Sequence, residues 1–199
     1  MLDSRGLIVV VSSPSGAGRT TIVRRVLPQD ETIRYSTSVT TRPKRLGEKE
    51  GKDYFFVSEK EFKQRVERGE FVEWAEVHGF MYATPRAPVV EVIQQGGVII
   101  LDIDIQGAMR VKEEFPDCVT VFIAPPSLES LEKRLRNRGT DSEELIRRKL
   151  QDALREAAKI PGYDYLIIND DLDTAVKQLQ AVLEAERCRT KRDQYSITA

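Results

Sequence analysis

A doubly wound α/β fold, a parallel sheet with helices on both faces, is what three features of the sequence predict. Apolar runs at 7–11 (LIVVV), 98–101 (VIIL), 119–123 (VTVFI) and 165–168 (YLII) are nearly continuous rather than alternating, as strands covered on both faces must be. Helix-like stretches at 20–27, 106–114, 128–138 and 172–188 alternate with those runs, and alternation of this kind builds layers. The length, 199 residues of which 40% are hydrophobic, suffices for one good core with one or two small appendages.

Each element has its own justification. The run at 7–11 leads into a glycine loop and then the helix at 20–27, so the first unit is strand, loop and helix. Residues 36–88 break the rhythm with turn signals and short β-rich pieces (DYFFV, EFVEWAEV), read as an inserted α+β substrate domain. A helix starts inside it at VSEKEF, where Ser58 and Glu61 form a capping box and Val57 and Phe62 sit at staple spacing. The second break, 125–160, holds the box Thr140-x-x-Glu143 and then Ile146, Leu150, Ala153, Leu154 and Ala157 at helical spacing. This reads as a helical hairpin with a basic face, suited to a mobile lid. The core is then 1–35, 89–124 and 161–199, one unit overall, with a polar tail after residue 187.

Charge narrows the partners. Lysine and arginine total 31 against 32 aspartate and glutamate, so no global field recommends nucleic acid or an anionic membrane, and anion binding must be local. The opening MLDSRGLIVVV is too short for a membrane span and wrongly flanked for a signal peptide, which makes the cytoplasm the expected compartment. Cys118 and Cys188 stand alone and suggest neither a disulfide framework nor a zinc site. Small-molecule substrates and a monomer or small homo-oligomer are the expectation.

The chemistry begins at Ser13, Pro14, Ser15, Gly16, Ala17, Gly18, Arg19, Thr20 and Thr21. Residues 13–20 match the phosphate-binding pattern G-x-x-x-x-G-K-[ST] except at Ser13 and Arg19, where that pattern has glycine and lysine. Gly16 and Gly18 let the backbone curl so that N–H groups face an anion, and the following helix adds its positive end. Thr20 would place a hydroxyl on Mg²⁺. Arg19 keeps the charge and could still touch the β- and γ-phosphates of ATP, but its planar, longer head is no conservative replacement. The strand at 98–101 runs on to Asp102 and Asp104 at the carboxyl edge of the sheet, where open α/β folds bind ligands, and Asp102 can hold the water shell of a magnesium ion facing Thr20.

Arg42 and Arg45 lie three apart with Pro43 stiffening the chain between them, so their guanidinium forks could converge on one phosphate, with the Tyr54 phenol as a further donor. Arg134 and Arg138 lie four apart on one helical face, and Arg147, Arg148 and Lys149 follow on the next helix, where Glu143 and Glu144 could pair with the two arginines.

SPSGAG, TTRPKRLGEKEGKDYFFVS, FVEWAEVHGFMYATP, ILDIDIQGA, RLRNRGTDSEE and YDYLIINDDLDTA occur in this order and together resemble the guanylate kinase family over nearly the whole chain. The resemblance implies transfer of the γ-phosphoryl of ATP to GMP, and to dGMP as well, giving GDP and ADP with Mg²⁺. It also implies that Arg42, Arg45, Tyr54 and Tyr82 grip the GMP phosphate, and that Ser38, Glu73, Thr84 and Asp104 read guanine. Guanine offers N1–H and N2–H₂ as adjacent donors, which the carboxylate of Glu73 can accept, while Ser38 and Thr84 can donate to O6. Arg134 and Arg138 fall at two of the family's lid positions and Lys149 at a third, where the family has arginine. With Arg19 and Arg42 they make up the implied catalytic set. The NDD at 169–171 resembles a family signature near the adenine. No general base is required, since the attacking phosphate oxygen is already ionised, and the single histidine, His78, reads as a turn residue. The alternative left open is a catalytically weak guanylate-kinase-like binding module, which the altered loop lysine would suit.

Overall fold

The computed structural model describes residues 3–4, 6–77, 79–139, 141–189 and 193–194. In chain order its elements are β1 (Asp3–Ser4), β2 (Leu7–Ser12), α1 (Arg19–Val26), β3 (Ile33–Tyr35), β4 (Val39–Thr40), β5 (Phe55–Phe56), α2 (Glu59–Glu67), β6 (Phe71–Val77), β7 (Phe80–Pro85), α3 (Arg86–Gln94), β8 (Val98–Asp102), α4 (Ile105–Glu114), β9 (Val119–Ala124), α5 (Leu128–Asn137), α6 (Glu143–Ala157), β10 (Tyr165–Ile168), α7 (Leu172–Arg187) and β11 (Asp193–Gln194). The central sheet has the order β10-β9-β2-β8-β3, and every neighbouring pair in it is parallel. The four apolar runs are its strands. A fifth, β3, was not expected from the sequence.

β2 shows why continuous apolar runs were needed. Leu7, Val9 and Val11 enter the cluster that α1 and α7 cover with Ile22, Val23 and Leu179, whereas Ile8 and Val10 enter the opposite cluster with Val89 and Val111 of α3 and α4. Burial of each such side chain stabilises the fold by about 1.5–3 kcal/mol. With both faces covered, positions 7 to 11 are all apolar, and the strand's polar residue, Ser12, comes at its carboxyl end.

A second sheet of order β5-β4-β7-β6 lies within 36–88, closed on one side by α2 through Phe62, Phe71 and Ala83. Ser58 caps α2 by accepting from the Glu61 N–H at 3.2 Å, and Val57 packs on the same cluster as Phe62. α3 begins at Arg86 directly after β7 and leads back to the central sheet.

α5 and α6 meet through Leu131, Leu135, Ile146 and Ala153. The expected stripe on α6 is only partly inward, since Leu154 remains 56% exposed and Ala157 is exposed as well. The expected capping box is corrected too. α6 starts at Glu143 with Ser142 as its cap, accepting from the Leu145 N–H at 3.3 Å, while Thr140 lies outside the described residues. Glu143 pairs with Arg136 of α5 rather than with its helical neighbours Arg147 and Arg148. Among the described residues no helix is long and apolar enough to cross a membrane.

Candidate active site

The loop between β2 and α1 curls as its glycines require. Gly16 and Gly18 have φ of 95° and 96°, a region costly for any residue with a Cβ. A Cβ at Gly16 would also collide with Leu135 of α5, and one at Gly18 with Asn169. The loop is therefore packed on two sides: its mouth faces the positive end of α1, and its back rests on α5 and the end of β10.

Asn169, 5% exposed, donates from Nδ2 to the Ala17 carbonyl at 2.6 Å. Arg134 donates to the Asn169 carbonyl at 2.7 Å and to the Ala17 carbonyl at 3.4 Å. Arg134 thus reaches the loop backbone. Arg138 is exposed at the end of α5, and the Lys149 ammonium of α6 is held at 2.7 Å by Asp141, just before that helix. Asn169 was expected near an adenine; its amide is spent on the loop backbone, and Asp171 caps α7 by accepting from the Thr174 N–H at 2.8 Å.

Arg19 goes elsewhere than the expected reach toward ATP phosphates. Its guanidinium is drawn onto Asp102, whose side chain is 4% exposed, and Nη1 donates to the Ile103 carbonyl. Burial works most strongly against the charge, but Asp102, Tyr35, Tyr54 and Asp104 together outweigh it, and the guanidinium is held above its usual pKa. Thr20 Oγ1 donates to the other carboxylate oxygen of Asp102 at 2.8 Å. The strand-end aspartate is engaged from two sides.

The second sheet carries the other half of the site. Arg42 is 7% exposed; its fork grips Glu48 through bonds of 2.7 and 3.1 Å, and its Cζ lies 5.3 Å from the centre of the Tyr54 ring. Tyr54 and Tyr82 stand edge-to-face at 6.0 Å, so Arg42, Tyr54 and Tyr82 form one group. Arg45 does not converge on it through its side chain in this state: the side chain is exposed, and its backbone N–H donates to Glu48 at 2.7 Å. Glu48, which sequence reasoning missed, occupies the Arg42 fork as an anion would, and this pairing holds its carboxyl below the usual range.

β6 and β7 place Glu73 opposite Thr84, and β4 pairs with β7 so that Ser38 continues the same row. Ser38, Glu73 and Thr84 are all buried, and Thr84 Oγ1 donates to Glu73 Oε1 at 2.6 Å. Burial pushes the Glu73 carboxyl up to about 7, nearby Asp104 adds to the rise, and Thr84 and Arg110 oppose it. Asp104 also caps α4, its Oδ1 accepting from the Gly107 N–H at 2.9 Å. A further acid that sequence reasoning missed, Glu156 at the end of α6, is raised to about 7 by burial and by Asp104 and Asp152, while Arg19 opposes the rise. Nothing in the local pattern of α6 marks it, because its position is half-buried only through tertiary packing. His78 lies outside the described residues.

A phosphate cradle at the carboxyl edge of a parallel sheet, beside a second pocket of arginine, tyrosine and buried carboxyl groups, is the arrangement of a P-loop phosphotransferase. Comparison with known proteins narrows that class. The family model described as guanylate kinase matches residues 5–186. The guanylate kinase of Carboxydothermus hydrogenoformans is 49% identical over 97% of this chain and 95% of its own length. That of Zymomonas mobilis is 50% identical over 96% of this chain and 89% of its own. A crystal structure of guanylate kinase from Anaplasma phagocytophilum matches with a TM-score of 0.83 at 38% identity, covering 98% of this chain and 93% of that one. The chain belongs to the guanylate kinase family.

Proposed function

We propose that the chain is an ATP:GMP phosphotransferase acting on small nucleotides in the cytoplasm, as a monomer or small homo-oligomer. In this reading 36–88 binds the acceptor, 125–160 is the lid and the rest is the core. The observation that carries it is the buried row of Ser38, Glu73 and Thr84 beside the Arg42–Tyr54–Tyr82 group: one side selects a base and the other holds a phosphate. Relatives named as guanylate kinases along nearly the entire chain leave the binding-module alternative unfavoured.

GMP phosphate, arriving as a dianion, competes with Glu48 for the Arg42 fork and takes donors from Tyr54 and Tyr82, with Arg45 swinging in from solvent. An oxygen of that phosphate attacks the γ-phosphorus of ATP, and the bond from that phosphorus to the β–γ bridging oxygen breaks, leaving ADP. No proton has to be removed from the nucleophile, so catalysis consists of positioning and charge neutralisation. Loop amides and α1 hold the donor phosphates, and Arg134 lies against the loop from the lid side. Domain closure excludes water. Arg138 and Lys149 join only if the lid moves, Lys149 by leaving Asp141.

The residues present fit a magnesium ion in chemistry, since Thr20 Oγ1 and Asp102 Oδ2 are hard oxygen donors 2.8 Å apart, although Arg19 competes for the same carboxylate. When bound there, magnesium supplies charge neutralisation at the donor phosphates.

ADP release with ATP, Mg²⁺ and either GMP or AMP tests the reading. GMP should be preferred by roughly 10⁴-fold above pH 7, because adenine would turn a lone pair toward the Glu73 carboxylate and leave a buried charge unpaired. Glu73→Ala should abolish the preference. Turnover with GMP no faster than without enzyme would reject the function, and equal use of AMP would reject the base assignment.

A further inference from the structure

Gly107 stands in the first turn of α4, where a glycine costs the helix about 0.5–1 kcal/mol relative to alanine. Its bare Cα faces the acidic pair. A methyl group there would come within 2.6 Å of Glu73 Oε2 and 3.2 Å of Asp104 Oδ1, well inside ordinary contact. Glu73 is poorly placed to step aside, because it is buried on β6 and its Oε1 is tied to Thr84, which is itself fully buried on β7. The N–H of Gly107 meanwhile donates to Asp104 Oδ1. One residue without a side chain therefore touches both carboxyl groups.

We propose that Gly107 is a positioning residue for base selection: its missing Cβ is the space that lets the Glu73 carboxyl group lie where it can meet the Watson–Crick edge of a guanine. The inference rests on the GMP reading above and names a residue that this reading does not use. Alanine at 107 would displace the Oε2 end of Glu73, and spoiling a hydrogen bond to a charged acceptor costs on the order of 10- to 100-fold in affinity. Aspartate at 73, one methylene shorter, withdraws the carboxyl group from the new methyl and should relieve the collision.

The test compares the full-length parent with Gly107→Ala, Glu73→Asp and the double variant, reading the Kd for GMP and AMP by calorimetry, the KM for ATP, and the Tm. Gly107→Ala should weaken GMP by on the order of 10- to 100-fold, with AMP affinity and the KM for ATP unchanged and the fold retained, since the helix propensity gained by alanine offsets part of the strain of the collision. Adding Glu73→Asp should restore part of the lost GMP affinity, although by itself it weakens the parent. Full GMP affinity in Gly107→Ala overturns the proposal, as does a parallel loss for GMP and ATP with a lowered Tm. So does a double variant no better than Gly107→Ala. A parent that binds GMP and AMP equally defeats the GMP reading and this inference with it, whereas a selective parent whose Gly107→Ala variant is equally selective defeats the inference alone.

Discussion

Arg19 is where the loop departs from its pattern, and its placement has a direct consequence. The guanidinium is spent on Asp102 and the Ile103 carbonyl, so to reach a donor phosphate it must first give up a buried ion pair. A lysine there, with a compact ammonium on a flexible stem, could bind phosphate as a point charge while leaving Asp102 to Thr20. Arg19→Lys should therefore lower the KM for ATP and raise kcat, with a combined gain of up to about 100-fold if the arginine misplaces the γ-phosphoryl by an ångström. Steady-state kinetics on the two proteins decides it: a slower variant would show that the loop has adapted to arginine. The spacing of the loop made its role legible, but not the direction of this side chain, because Asp102 lies 83 residues further along the chain and only folding brings the two together.

At the scale of elements, the cradle is a loop whose shape is held from behind by β10 and α5. Asn169→Ala removes the amide that donates to the Ala17 carbonyl and leaves that buried acceptor with only the longer bond from Arg134. The expected cost is about 1–3 kcal/mol of stability, with the KM for ATP raised several-fold and the KM for GMP unchanged; urea unfolding and a two-substrate kinetic matrix measure both. Equal changes in both KM values would refute a local role. The same elements explain what could be read in advance. The four long strands of the central sheet were visible because two-sided burial leaves an unbroken apolar run. β3 was not, because Ile33, Arg34 and Tyr35 sit at the sheet edge and only Ile33 is buried. α3 escaped because RAPVVEVI combines β-branched residues and a proline with no capping side chain, and its helical state comes from docking Val89 under the sheet. In the site, Arg42, Tyr54 and Tyr82 were nameable and form one group, and Glu73 and Thr84 were nameable and bond to each other, whereas Glu48 and Glu156 carried no local signal of their tertiary partners.

For the molecule as a whole, buried acids set how stability varies with pH. Glu73 and Glu156 each have a folded-state pKa near 7 against an ordinary value of 4.5. Between those values the unfolded chain ionises while the folded chain keeps its protons, so each group lowers stability as pH rises from about 4.5 to 7, and the loss is complete above 7. For Glu73 the shift corresponds to at most about 3 kcal/mol. Asp30, held down to about 2 by its bond from Thr32 and by Arg187, works in the opposite direction: its contribution is present above its ordinary value of 3.8 and is lost as pH falls toward 2. Asp164, lowered by bonds from Thr120 and Lys112 against the effect of burial, acts in the same sense as Asp30. The two trends bracket a maximum near pH 4–5, below the neutral range in which the site would work. Urea midpoints taken from pH 4 to pH 8 should fall steadily above the maximum, and Glu73→Gln should flatten that limb because an amide has no charge to desolvate. A midpoint independent of pH from 5 to 8 in the parent, or a Gln variant with the parent's slope, would mean that this carboxyl group is ionised in the folded site. The acid would then meet guanine already charged, and GMP binding would release no proton at neutral pH.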